Sequence, residues 1–222
     1  MLGFYRRYKQ ENPGEGRTAN FYMKKLNVMI AGAGGNNSWL CRILAELQAR
    51  DQVPPHVEFT IFDGDSVEKK NLLYQDFTLD DVLENKAKVL AARHVMLAKQ
   101  KFIKDTKEFE PYDVIISGVD NRDFREMLFK YVDKHPEKYW IDLRAEGRTV
   151  AIFTQNRVYT LAYLLSTLPG KGSKISTSCQ LSYELDAGII QLGNRIAAVI
   201  GAQYLLNFIR GEQNPATFVH MF

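Results

Sequence analysis

A short apolar run, Val28 to Ala31, opens onto the turn Gly32-Ala33-Gly34-Gly35-Asn36-Asn37-Ser38. Between a strand and a helix, such a turn presents unpaired backbone N–H groups, and the helix dipole adds positive potential. Together they cradle an anion such as phosphate. A second apolar run ends in Asp63, and an acid at the end of the next strand can accept hydrogen bonds from a ribose. Lys86 follows in the run ENKAKVLAAR, and Gly118-Val119-Asp120-Asn121 follows a later apolar run, DVIISG. An acid at that point, beside the crevice of a parallel sheet, can hold Mg²⁺. These residues describe a site for a nucleoside phosphate.

The elements that must position them follow from hydrophobic pattern. Continuous apolar runs predict strands over 28–31, 57–62, 113–118, 139–143 and 149–154, with a further strand over 102–104. Helical spacing of Leu40, Ile43, Leu44 and Leu47 predicts a helix over 37–50. A segment rich in Ala, Leu, Lys and Glu predicts one over 80–99, and others are expected over 122–134 and within 187–209. Strands alternating with helices predict an α/β fold, a Rossmann-like doubly wound and mostly parallel sheet with helices on both faces. From about residue 149 the pattern changes to strands, a Gly/Ser/Lys loop and a long helix, a C-terminal strand/helix extension. One domain over 1–222 is expected. It divides into an N-terminal arm (1–25), a nucleotide-binding half (26–148) and a half facing a partner and a second subunit (149–222).

Composition narrows the function. The 222 residues are 45% hydrophobic and 25% charged, ordinary for a globular domain able to bury its own core. A net charge of +3 is too small to argue for nucleic acid. The most apolar late stretch carries Gln191, Asn194, Arg195 and Gln203, so a buried or amphipathic helix is expected and not a membrane span. The start, MLGFYRRYKQ, has no apolar core of a signal peptide. Two distant cysteines, Cys41 and Cys179, make no disulfide framework, and a cytoplasmic setting is expected.

The same turn could serve an NAD(P)-dependent oxidoreductase. However, the third glycine of G-x-G-x-x-G is Asn37, and Asp63 lies 31 positions after Gly32 where a dinucleotide fold has about 20. The polar stretch DGDSVEKKNLLYQ, Lys86 and the acid Asp120 suit an enzyme that splits ATP better than a hydride carrier.

At these residues the chain resembles the ThiF/MoeB/HesA family, the adenylating domain related to ubiquitin-activating enzymes. Its G-x-G-G-x-G-S turn reads here as Gly32 to Ser38. Its D-x-D-x-V-x-x-S-N-L-x-R-Q motif reads as Asp63, Asp65, Val67, Asn71, Leu72 and Gln75. Lys86, Ala87 and Val89 match its K-A-x-V, and Asp120, Asn121, Arg125 and Leu128 its D-N-x-x-x-R-x-x-L. Cys179 with the glycine-containing run after it fills the last slot. The match spans roughly 26–211.

The resemblance implies ATP-dependent adenylation of a C-terminal carboxylate, usually the terminal glycine of a ubiquitin-like protein and in some relatives a short peptide. It implies ATP and Mg²⁺ as cofactors and a homodimer. Gly32, Gly34 and Gly35 would admit the nucleotide and Asp63 would take the ribose hydroxyls. Asp65, Asn71, Gln75 and Asn121 would line the ATP site. Lys86 would stabilise charge as pyrophosphate leaves, and Asp120 would bind Mg²⁺. Cys179 either receives the acyl group as a thioester or stands aside while the reaction stops at the acyl-adenylate. Three positions depart from the pattern: Tyr74 replaces the arginine of N-L-x-R-Q, Asn37 replaces a glycine, and R-Y-x-R-Q survives as Arg6-Arg7-Tyr8-Lys9-Gln10. Lacking paired C-x-x-C motifs, the chain is expected to hold no zinc. A fold-retaining, non-catalytic scaffold is the further alternative.

Individual residues have plainer readings too. Lys88 competes with Lys86 in another register, Asp120 suits the helix cap, and Arg125 suits an ion pair as well as a phosphate. Cys41, on the apolar stretch of its helix, reads as a buried inert thiol.

Overall fold

The computed structural model describes residues 25–155, 159–169, 180 and 182–221. Its strands are β1 (Leu26–Ala31), β2 (Val57–Phe62), β3 (Leu97–Lys99), β4 (Val114–Ser117), β5 (Tyr139–Glu146), β6 (Thr149–Thr154) and β7 (Thr217–Met221). Its helices are α1 (Gly35–Ala49), α2 (Lys86–His94), α3 (Arg122–Lys134), α4 (Leu161–Ser166), α5 (Ser182–Asp186) and α6 (Gly193–Arg210). The strands form one seven-stranded sheet in the order β3-β2-β1-β4-β5-β6-β7. The first five are parallel, and β6 and β7 join antiparallel.

Strand side chains alternate between faces, and the core divides accordingly. Val28, Ile30, Ile116 and Ile141 pack with Leu40 and Leu44 of α1, Leu90 of α2 and Leu205 of α6. Met29, Ile115 and Trp140 pack with Leu128 and Phe129 of α3 and Leu164 of α4. The central strands are thus buried on both sides, which explains why β1 and β4 read as unbroken apolar runs. Each fully buried Leu, Ile or Phe in these layers contributes about 1.5–3 kcal/mol.

This division places α1, which follows β1, on one face, and α3, which follows the adjacent strand β4, on the other. The chain therefore reverses its winding between β1 and β4. A crevice opens at such a switch point, outside the carboxyl ends of the strands. α6 crosses the first face close to the sheet. A Cβ on its first residue, Gly193, would fall 2.3 Å from Gly147 O, so only glycine permits that approach.

Three elements differ from expectation. The helix predicted over 80–99 is only α2. Leu83 at φ 78° and the Asn85 cap stop it at one end, Val95 at φ 55° ends it at the other, and Leu97–Lys99 forms β3. No strand forms at 102–104; the edge strand lies five residues earlier. The late helix begins at Gly193, and β7 follows it, held by pairing with β6.

Candidate functional site

Gly32 leaves β1 at φ +85°, and a Cβ there would come within 2.7 Å of the Val119 side chain, so the turn needs glycine. Gly34 then caps α1 with no side-chain partner, and a Cβ on it would meet nothing within 4 Å. The first N–H groups of α1 have no partner inside the helix.

Asp63, at the carboxyl end of β2, is 7% exposed. Its Oδ2 accepts from Ala33 N at 2.6 Å and its Oδ1 from Asp65 N at 2.8 Å. Burial pushes its carboxyl above the ordinary carboxylate value, while those two N–H groups and nearby Lys86 pull it back. Each oxygen keeps a second lone pair for a hydroxyl donor.

Lys86 opens α2 and is 7% exposed, with Nζ 3.8 Å from Asp65 Oδ2. Asn85 fixes that geometry. Its Nδ2 donates to Asp63 O (3.0 Å) and Asp65 O (3.1 Å), and its Oδ1 caps α2 by accepting from Lys88 N (3.0 Å). Lys88 points elsewhere, pairing with Glu84 at 2.6 Å on the surface. Lys86, and not Lys88, is therefore the lysine beside the acids. Asn71 and Gln75 are buried on the loop between them and α2. Asn71 Oδ1 accepts from Glu68 N (2.9 Å), and Gln75 Oε1 is buried with no hydrogen-bond partner among the described residues. Tyr74, in the position of the family arginine, is 7% exposed, and its carbonyl accepts from Trp39 Nε1 at 2.9 Å.

Asp120 lies exposed just past β4. The cap of α3 is Asn121, whose Oδ1 accepts from Phe124 N at 3.0 Å, so the plainer reading of Asp120 as the cap does not hold. Arg125 is buried, and its Nε donates to Asp142 Oδ1 at 3.2 Å. Asp142 is fully buried on β5 and also accepts from Arg144 Nε at 2.7 Å. The two guanidiniums hold its carboxyl below the usual carboxylate range despite burial. Arg125 is thus committed to an ion pair. Cys41 is fully buried, and burial raises its thiol far above the ordinary value, as expected of an inert core cysteine.

Gly32, Gly34, Gly35, Asp63, Asp65, Asn71, Gln75 and Lys86 therefore gather around the β1 and β2 ends, with Asp120 and Asn121 following β4. Cys179 and the basic residues Arg6, Arg7 and Lys9 lie outside the described residues. Among the described residues no three His, Cys, Asp or Glu side chains cluster as a metal site. No described helix is long and apolar enough to cross a membrane. A surface hollow of about 560 Å³ along α3, lined by Glu126, Lys130 and Tyr131 among others, contains none of the expected site residues.

Sequence reasoning missed three contributors. Asn37 was a mere departure from glycine; in the structure its Nδ2 donates to Ala31 O and Gly32 O at 2.8 and 2.9 Å. Asn194 Nδ2 donates to Tyr74 O at 2.6 Å from 120 residues away, beyond any local signal. Asp142 sat unmarked inside an apolar strand. An acid within such a run demands a buried cation, and that signal was available.

The sequence matches the ThiF family over residues 16–222, and the chain belongs to that family. No curated protein sequence matches it. Among solved structures, it is similar to E. coli MccB with AMPCPP and MccA (18% identity, TM-score 0.61), covering 89% of this chain and 61% of that one. It is also similar to E. coli MccB with ATP (19%, TM-score 0.60; 90% and 61% covered). A third is PaaA (18%, TM-score 0.61; 89% and 61% covered). The chain thus spans about three-fifths of the length of these proteins.

Proposed function

We propose that this protein uses ATP to adenylate the C-terminal carboxylate of a peptide or ubiquitin-like protein, releasing pyrophosphate. The observation that carries the reading is the buried Lys86, held by Asn85 beside Asp65 and Asp63 at the mouth of the glycine turn. A lysine is seldom buried this deeply unless it is paired, and here it is buried facing an acid next to the turn. Family membership and the MccB structures with ATP, and with AMPCPP and MccA together, support a nucleotide and a second substrate.

The nucleotide lies across the crevice. Gly34 and Gly35 admit its phosphates to the N–H groups of α1, and Asp63 accepts from the ribose hydroxyls with its remaining lone pairs. Asn71, Gln75 and Asn121 line the site. A carboxylate oxygen of the acyl substrate bonds to the α-phosphorus. The bond from that phosphorus to the bridging oxygen breaks, and its electron pair leaves with pyrophosphate. The nucleophile is already ionised, so no general base is required; catalysis is positioning and charge neutralisation by Lys86 and backbone N–H groups. Asp120 fits Mg²⁺, which asks for one or two carboxylates plus substrate phosphates and not a three-residue cage. Asp120 would hold the ion, and the chemistry it would supply is neutralisation of phosphate charge. Transfer to the Cys179 thiol would then break the acyl–phosphate bond, releasing AMP. The protein acts as a homodimer in the cytoplasm, and sedimentation at micromolar concentration tests the dimer.

Calorimetry with Mg-ATP and with NAD, on wild type and Asp120→Ala, tests the reading. ATP binding that needs Mg²⁺ and is lost in the variant supports it. Binding of NAD alone turns it to an oxidoreductase, and binding of neither leaves the scaffold. Pyrophosphate release with C-terminal glycine peptides then tests catalysis, and a thiol-labile adduct lost in Cys179→Ser tests the thioester.

A further inference from the structure

Three asparagines tie back main-chain carbonyls around the glycine turn. Asn37 Nδ2 donates to Ala31 O and Gly32 O, at 2.8 and 2.9 Å. Asn36 Nδ2 donates to Leu143 O at 3.1 Å. Asn194, from the first turn of α6, donates to Tyr74 O at 2.6 Å and to Gly35 O at 3.5 Å. All three are at most 4% exposed. Asn37 also presses on the end of β4, since a Cβ on Gly118 would lie 2.5 Å from its amide.

These bonds have a directional consequence. In a trans peptide unit the C=O and the following N–H point opposite ways. The Gly32–Ala33 unit is gripped at both ends, its carbonyl by Asn37 and its N–H by the Asp63 carboxylate. Asn194 grips the next stretch, joining Gly35 to Tyr74 and hence to the loop that carries Asn71 and Gln75. With the carbonyls of Ala31, Gly32 and Gly35 held by these amides, fewer oxygens remain to repel an anion at the turn. Asn36 and Asn37 each leave a side-chain oxygen buried without a partner among the described residues, an energetic cost that apolar packing alone does not call for.

We propose that Asn37 and Asn194 are positioning residues that hold the turn in its phosphate-binding geometry before a ligand arrives. The proposal rests on the nucleotide reading above. It predicts that Asn37, standing where the family has glycine, is no defect, and that restoring glycine harms the site.

The test compares wild type with Asn37→Gly, Asn37→Ser and Asn194→Ser in two measurements. Amide hydrogen exchange over residues 34–38 in the ligand-free protein should quicken at least tenfold in Asn37→Gly. Serine, with one donor, should fall between glycine and asparagine. The Kd for ATP should rise at least tenfold and by clearly more than that for adenosine, because the phosphates meet the turn directly and the ribose only through Asp63. Unchanged exchange, or equal losses for ATP and adenosine, would overturn the proposal. If wild type binds no ATP, the adenylation reading falls with it, while exchange at 34–38 still decides whether the asparagines hold the turn. If the glycine variant fails to fold, the two serine variants carry both measurements.

Discussion

Asp142→Asn is a nearly isosteric change with a large expected effect. The carboxylate is fully buried and accepts from Arg125 Nε at 3.2 Å and Arg144 Nε at 2.7 Å. The amide keeps the shape but loses the charge, leaving two guanidiniums in the core with one acceptor oxygen between them. Removing one partner of a buried ion pair costs about 3–5 kcal/mol. For a chain of this size each kcal/mol moves Tm by about 2–4 °C, so a fall of roughly 6–20 °C is expected. The pH dependence has a definite sign. Because the folded carboxyl lies below its unfolded value of about 3.9, its contribution is complete above that pH and is lost as pH falls through the folded value. The gap between wild type and variant, followed by circular dichroism in urea, should be full at neutral pH and close progressively below about pH 4. A neutral-pH difference below about 1 kcal/mol would refute the reasoning, since it would mean water or rearrangement satisfies both arginines. Replacing the group with apolar residues, Asp142→Leu with Arg125→Met and Arg144→Met, should do less harm than the single change.

Lys86→Ala should cut pyrophosphate release by about 100-fold or more, on the scale of losing one charged transition-state contact, while Lys88→Ala stays within about twofold; comparable losses would return the register question. Gly118→Ala should weaken ATP binding because its Cβ meets the Asn37 amide at 2.5 Å, and adding Asn37→Gly should remove that particular clash. A double variant no better than the sum of its parts in thermal unfolding would show that the alanine fails for another reason. Gly193→Ala should destabilise by about 1–3 kcal/mol, because its Cβ would fall 2.3 Å from a backbone oxygen that cannot rotate away; an unchanged urea midpoint would contradict it. Cys41 should resist iodoacetamide in the folded protein and react on unfolding, read by peptide mass spectrometry.

The legible parts of this protein are those where one segment decides its own state. β2, α3 and β6 fall where their patterns place them, because an apolar run or a strong amphipathic stripe needs no distant partner to be recognised. The 80–99 segment fails for the opposite reason. Its composition favours helix throughout, yet Asn85 is spent on holding Asp63 and Asp65, and Leu97–Lys99 is claimed by pairing with β2. Tertiary contacts override propensity at both ends. β7 exists through its ladder to β6, which a single short segment cannot announce.

The site divides along the same line. The positions of Asp63, Lys86 and Asp120 were legible because each stands just past a strand end or at a helix start, and strand ends are where a doubly wound sheet binds ligands. What holds them was not. Asn194 reaches Tyr74 from the far end of the chain, and Asn37 looked like a lapse until its two acceptors were visible. A departure from a family pattern is ambiguous in sequence, because loss of one device and gain of another produce the same letter. Geometry separates them. Tyr74 is buried where the family has a cation, so Tyr74→Arg would place a charge in a 7% exposed position and should lower stability whatever it does for phosphate. Asn37, by contrast, replaces the bare approach of a glycine with two hydrogen bonds across the same gap. One departure removes a charge and the other adds two hydrogen bonds to the turn, so only the second can hold the backbone around it more firmly.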